Sequence, residues 1–194
     1  MILASQSPRR RELMREAGFD CRILPTDIDE TPYDNEAPLA LVERLARAKA
    51  AVVGKHDAEP NEIVVAADTI VTFDGKKLGK PVDKANARAM LRALSGRTHQ
   101  VATGVCIVRA GDPSVPRAAQ STSFVEVTDV HFYPLTDREI ETYVDSGEPM
   151  DKAGAYGIQG IGGRMLVRGI DGDFYNVVGL PIARVVREIA KLNG

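Results

Sequence analysis

The chain has 194 residues, with 25 Lys and Arg against 27 Asp and Glu, so its formal net charge is −2; it has no Trp and only five Phe and five Tyr. Phosphate contacts supply most affinity for duplex DNA, and aromatic platforms much of that for single strands. The balance therefore speaks against a broad nucleic-acid or anionic-membrane surface, and any basic site must be concentrated locally. A hydrophobic fraction of 44% with 27% charged residues is ordinary for a globular protein, and the length predicts one domain over 1–194.

Met1 to Ala4 reads as a short first strand. Ser7 is a good N-cap, with Pro8 at the first helical position, where a missing N–H costs nothing. That helix is expected to stop at Gly18, before a second strand at Cys21 to Leu24 and a polar, acid-rich loop from Pro25 to Pro38. Val42, Leu45, Ala46 and Val53 form the apolar stripe of a second helix from about Pro38 to Val53, and Lys49 falls in the same stripe. Ile63 to Phe73 is β-rich and apolar enough for a central strand, followed by a hairpin signal at Asp74-Gly75. A third helix fits Asp83 to Leu94, with Ala87, Met90, Leu91 and Leu94 on one face. Strands are expected over Val101 to Arg109 and Ser123 to Phe132, linked by the polar stretch Ala110 to Ala119. Thr136-Asp-Arg-Glu139 is a capping box opening a fourth helix that ends near Gly147. Gly154 to Gly179 is glycine-rich, with a strand near Met165 to Gly169, and a final helix follows Pro181. Alternating strands and helices predict an α/β fold with a mixed sheet.

The longest apolar run, around Ile63 to Val71, is interrupted by Asp68 and too short to span a bilayer. The N-terminus lacks the basic-then-apolar order of a signal peptide. Cys21 and Cys106 have neither zinc nor disulfide spacing and are expected as free thiols in a reducing cytoplasm.

Four segments can carry chemistry. Ser5-Gln-Ser-Pro-Arg9-Arg10-Arg11 opens a helix whose free N–H groups and dipole attract anions; it is either an anion site or a solvated basic turn. Asp68-Thr69 puts an acid inside an apolar strand, which is costly unless the acid is paired or bound to a cation. A partly buried carboxylate of this kind suits a general base or metal ligand, the alternative being a turn cap. Lys49 either snorkels out of the core edge or directs its charge toward a phosphate or toward Glu30 and Asp68. The run from Asp151 to Gly163 combines glycines, which let backbone amides approach a ligand, with Gln159, which both donates and accepts hydrogen bonds. Neither a dinucleotide fingerprint nor a P-loop is present. His56, His99 and His131 show no ligand spacing and read as structural or surface residues.

The ordered set Leu3-Ala-Ser-Gln-Ser-Pro-Arg-Arg, Asp29-Glu30, Leu45-Ala-Arg-Ala-Lys49, Ala67-Asp-Thr-Ile-Val, Gly79-Lys80-Pro81, Leu94-Ser-Gly-Arg-Thr-His, Asp151-Lys-Ala-Gly-Ala-Tyr-Gly-Ile-Gln-Gly and Val178-Gly-Leu-Pro resembles the Maf family of nucleotide pyrophosphatases along essentially the whole chain. The resemblance implies a long twisted mixed sheet flanked by helices, two lobes with a nucleotide cleft as in inosine triphosphatase-like folds, and a homodimer. It implies hydrolysis of nucleoside triphosphates to monophosphate and pyrophosphate with a divalent metal, Mg²⁺ or Mn²⁺. Carried over by position, Asp68 matches the catalytic acid. Ser7, Arg9, Glu30, Lys49, Lys80 and Lys152 match the phosphate and metal residues, with Glu30 and Asp68 as expected metal ligands. Arg10, Thr69 and Gln159 match the specificity positions of the branch that uses dTTP and UTP, and CTP or modified pyrimidines are further candidates. The implied setting is cytoplasmic house-cleaning, with a link to division arrest in view. The competing expectations are a pyrophosphatase for modified purine triphosphates and a nucleic-acid-binding cell-division regulator. The latter is disfavoured by the −2 charge and scarce aromatics.

Overall fold

The computed structural model describes residues 1–112, 114 and 119–193. In chain order the elements are β1 (Ile2–Leu3), α1 (Pro8–Glu16), β2 (Arg22–Ile23), α2 (Pro38–His56), β3 (Ile63–Phe73), β4 (Lys76–Leu78) and α3 (Lys84–Leu94). They continue with β5 (Thr98–Arg109), β6 (Gln120–Phe132), α4 (Asp137–Asp145), β7 (Val167–Asp171), α5 (Phe174–Val178) and α6 (Ile182–Asn193). The strands form one seven-stranded sheet in the order β2-β1-β3-β5-β6-β7, with β4 hairpinned onto β3. β1 runs parallel to both β2 and β3, whereas β3–β4 and β6–β7 are antiparallel, so the sheet is mixed as expected. Part of the polar stretch expected between β5 and β6 lies outside the described residues.

The local signals behave as their chemistry demands. Ser7 Oγ accepts from the Arg10 N–H and Pro8 is the first residue of α1. Gly18 follows the C-cap with φ +86°, its N–H donating to Arg15 O while that of Phe19 reaches Met14 O, so glycine closes α1 in the left-handed region. The Thr136 capping box forms in both directions. Asp74 and Gly75 both take positive φ, 49° and 74°, as a two-residue hairpin loop between antiparallel strands requires.

The chain divides into two compact units. The first comprises Met1–Thr69, Thr103–Glu126 and Gly179–Gly194. Its core sets Ala46, Ala50 and Val53 of α2 against Ile2, Val64, Ala66 and Cys106 of the strands. The contact is close because the facing side chains are small: a Cβ on Gly104 would lie 2.3 Å from the Val42 carbonyl oxygen, so only glycine admits α2 this near β5. Both cysteines are free, and burial raises the Cys106 thiol to about 11, an inert core group.

The second unit comprises Ile70–Ala102 and Val127–Val178. Leu91 and Leu94 of α3 and Ile140 and Val144 of α4 pack with Val101, Val130 and Phe132. His99 sits inside this core at 2% exposure, its Nε2 2.8 Å from the Tyr156 hydroxyl and its ring edge-on to both Phe132 and Tyr156. Burial, with a smaller contribution from His131, lowers His99 from 6.5 to about 4, against the opposing pull of Asp129. The unfolded chain therefore binds a proton between pH 6.5 and 4 that the folded chain refuses. His99 should contribute about 3 kcal/mol that is present above pH 6.5 and lost as pH falls toward 4. Urea titrations across that window should show the slope in the wild type and its loss in His99→Phe; parallel profiles would refute it.

Two short elements were not anticipated, β4 and α5. β4 offers only three exposed or half-exposed residues and no apolar run. α5 is five residues long and is held by Asn176, whose buried amide donates to Val101 O and Thr128 Oγ1. β7 starts at Val167, two residues after the expected Met165, because Gly163–Met165 forms a 3₁₀ turn and the pairing with β6 covers Phe132 to Asp129. Among the described residues no helix is long and apolar enough to cross a membrane.

Candidate active site

In the first unit, the middle of β3 carries Ala67, Asp68 and Thr69, and the Lys49 side chain of α2 reaches Asp68. The Lys49 ammonium lies 2.8 Å from Asp68 Oδ1 and 2.6 Å from Glu30 Oε1. Lys49 and Asp68 are largely shielded, with side chains 12% and 14% exposed, whereas Glu30 is 54% exposed on its loop. The stripe position of Lys49 is thus resolved: its charge turns into an acidic pair rather than out to solvent.

Beside this triad, Arg10 enters from α1. Its Nε donates to Gly179 O at 2.8 Å, Nη1 to Ala67 O at 2.9 Å and Ser5 Oγ at 3.2 Å, and Nη2 to Thr69 Oγ1 at 2.8 Å. Thr69 Oγ1 also lies 2.9 Å from Thr103 Oγ1 and donates to Gly179 O at 3.3 Å. Burial pulls the Arg10 guanidinium below its usual range, opposed by the charges of Asp68 and Glu30, while Arg9 adds to the lowering. Four segments far apart in sequence, around Ser5, Ala67, Thr103 and Gly179, therefore meet at Arg10 and Thr69. The guanidinium expected to contact substrate is engaged with protein acceptors on most of its fork. Ser7 caps α1 and Arg9 stands on its first turn, next to Arg10 in the chain.

The remaining expected residues belong to the second unit, where two motifs come together. The Gly154 N–H donates to Gly79 O at 3.0 Å, tethering the Gly79-Lys80-Pro81 segment to the Lys152 segment. Gly154, at φ +69°, leaves a Cβ only 3.0 Å from Val71 Cγ1, a close approach that its left-handed backbone already reserves for glycine. Lys80 is exposed. Lys152 is largely covered: its ammonium donates to Glu148 O at 2.5 Å and pairs with Asp151 Oδ1 at 2.6 Å. Gln159 is exposed at a turn closed by the Gly160 N–H on Gly157 O.

Over residues 1–192 the chain matches the family model described as Maf-like protein. The chain belongs to the Maf family. Among Maf relatives, the protein of Halalkalibacterium halodurans named dTTP/UTP pyrophosphatase is 47% identical over 194 residues, covering 100% of this chain and 96% of the relative. Those of Bacillus anthracis and Symbiobacterium thermophilum, bearing the same name, are each 48% identical, covering 100% and 98% of this chain and 95% and 93% of theirs. The motifs that suggested the family thus lie within the matched residues 1–192, and the structure adds their internal partners. Ser5, Thr103, Gly179 and Glu148 were not singled out beforehand. Ser5 and Gly179 lie inside the Maf motifs, but no spacing rule links Gly179 to side chains more than 100 positions away.

Glu30 Oε1 and Asp68 Oδ1 converge on one cationic atom, so the backbone already holds two hard oxygen donors around a positive charge. Among the described residues there is no cluster of three or more His, Cys, Asp or Glu able to hold a metal. Mg²⁺ characteristically takes one or two carboxylates and completes its shell with phosphate and water oxygens. The pair fits such an ion on its chemistry.

Proposed function

We propose that this chain hydrolyses dTTP and UTP between the α and β phosphates, releasing the monophosphate and pyrophosphate. The observation that carries the reading is the Lys49 ammonium held between Glu30 and the largely buried Asp68, in a chain of the Maf family. The names borne by the full-length relatives support the choice of nucleotides.

In this reading Asp68 accepts the proton of the attacking water, whose oxygen bonds to the α phosphorus as the bond to the bridging oxygen breaks and pyrophosphate departs. Lys49 holds the Asp68 carboxylate in place and offers positive charge to the phosphates, and Ser7 and Arg9 bring the positive end of α1 toward them. Glu30 and Asp68 would hold a divalent ion, Mg²⁺ or Mn²⁺, which supplies charge neutralisation on the triphosphate when bound. Lys80 and Lys152 are assigned to the phosphates and Gln159 to the base, its amide donating to a carbonyl and its oxygen accepting from the ring N–H, the pattern that uracil and thymine offer. The assignments of Lys80 and Lys152 rest on their match to the Maf motifs, as does the homodimer, and the cytoplasmic setting on the two free cysteines.

Pyrophosphate release from a panel of dTTP, UTP, CTP, GTP, ATP and modified purine triphosphates, with Mg²⁺ or Mn²⁺, tests the reading. The expected result is preference for dTTP and UTP that depends on added metal. Preference for a purine, or salt-sensitive DNA binding without pyrophosphate release, would replace it with one of the two competing functions.

A further inference from the structure

The segment 152–163 carries Lys152 and Gln159, yet it contains only short 3₁₀ turns and irregular backbone. Such a segment needs an external hold to keep a side chain in one place. That hold is the carboxylate of Glu148. Its Oε1 accepts from the Tyr143 hydroxyl and the Gly163 N–H, both at 3.1 Å, and its Oε2 accepts from the Gly162 N–H at 3.0 Å. Tyr143 in turn accepts the Gly157 N–H at 3.3 Å. The turn that presents Gln159 runs from Gly157 to Gly160 and is closed by a 2.9 Å hydrogen bond. Its entry is referred to Glu148 through Tyr143, and its exit through Gly162 and Gly163. A Cβ on Gly160 would stand 1.8 Å from Glu148 Oε1, so the backbone is wrapped directly onto the carboxylate. The backbone oxygen of the same residue receives the Lys152 ammonium.

We propose that Glu148 is the positioning residue for nucleotide selectivity: an internal anion around which the 157–163 backbone winds, setting where Gln159 meets the base. The proposal rests on the reading of Gln159 as the base-contacting residue. A carboxylate suits the role because it only accepts, and all three of its side-chain partners donate. Glutamine at this position keeps the volume but turns an amide N–H toward a backbone N–H or the tyrosine hydroxyl. One contact is lost and a donor faces a donor, so the turn must shift.

The test compares wild type, Glu148→Gln, Tyr143→Phe and Gln159→Ala in steady-state hydrolysis of dTTP, UTP and ATP, together with unfolding midpoints and hydrogen exchange of the 157–163 amides. Glu148→Gln should raise KM for dTTP and UTP by about tenfold or more with kcat held within about threefold, a size set by losing one buried partner. The selectivity for dTTP over ATP should fall and the 157–163 amides should exchange faster. Tyr143→Phe, which removes one hydroxyl and keeps the buried ring, should move KM and selectivity in the same direction by less, and it decides the matter should Glu148→Gln fail to fold. A lower midpoint with kcat reduced equally for every nucleotide and KM unchanged would make Glu148 a merely structural residue and overturn the proposal. If Gln159→Ala shifts selectivity but neither of the other variants does, this proposal fails alone. If Gln159→Ala leaves a pyrimidine-preferring profile unchanged, the base-contact reading fails and takes this proposal with it. A wild type lacking pyrimidine preference refutes the proposed function itself.

Discussion

Asp68→Asn should lower dTTP turnover by about 10²–10⁴-fold, the usual contribution of a positioned general base, while leaving the unfolding midpoint near that of the wild type. The two halves of that expectation come from the same geometry. Asparagine matches the volume of aspartate in the apolar strand β3 and still offers an oxygen to the Lys49 ammonium, which keeps Glu30 as its charged partner at 2.6 Å. The fold therefore exchanges one ion pair for a hydrogen bond to a neutral amide, at a site already linked to a second carboxylate, a cost of about 1 kcal/mol. The reaction loses its proton acceptor outright, because an amide oxygen cannot hold a proton at neutral pH. Single-turnover hydrolysis at saturating nucleotide isolates the chemical step from product release. Turnover within a few-fold of wild type would remove Asp68 from the base role and leave it as a structural partner of Lys49. A matching loss of the folded state would likewise make the loss of turnover uninformative about chemistry, which is why the unfolding midpoint is measured on the same sample.

What could be read beforehand follows the range of the interactions. N-caps, the capping box, the Asp74-Gly75 hairpin and the stripe of α2 are written within a few residues of themselves, and they appear as expected. Ile63–Phe73 matches in both bounds because apolar β-branched residues and a terminal turn signal agree. β5 and β6 extend past their expected starts, to Thr98 and Gln120, through polar residues that satisfy the ladder without adding to an apolar run. Thr98, for example, meets His131 Nδ1 across the strands at 2.8 Å. The acid in the apolar strand was legible as a cost needing a partner, and Lys49 proves to be that partner. The remaining connections join residues that share no periodicity. Nothing in the order of residues tells that Arg10 reaches Gly179, or that Tyr143 and Glu148 brace a turn beyond them. The glycines of 154–163 were expected to let backbone amides approach a ligand; the amides of Gly162 and Gly163 instead approach the protein's own carboxylate. His99 likewise looked structural, which its core position bears out, but its depth depends on rings contributed by β6 and by the segment after α4.

Arg10→Lys should lower both stability and turnover. The guanidinium fork serves Gly179 O, Ala67 O, Ser5 Oγ and Thr69 Oγ1 together. A lysine ammonium is a point donor on a flexible stem and can reach about two of these at once. Each partly buried acceptor left without a donor costs about 1–3 kcal/mol, so the folded state should lose roughly 2–5 kcal/mol and unfold at a clearly lower temperature. Activity should fall further than the folded fraction accounts for, because Ala67 and Thr69 flank Asp68 and both are held by the same side chain. A shift of this stretch of β3 by even a fraction of an ångström moves the proton acceptor away from its water. Two outcomes separate this clamp from direct substrate contact. The clamp predicts a lower midpoint and reduced kcat even at saturating dTTP, with Thr69→Val, which deletes one acceptor, giving a smaller version of both. A guanidinium that acted chiefly on the nucleotide would instead leave the midpoint unchanged and raise KM, and Thr69→Val would not reproduce its effect. The geometry favours the clamp, since a side chain that holds four fixed acceptors has little of its fork left to offer a ligand.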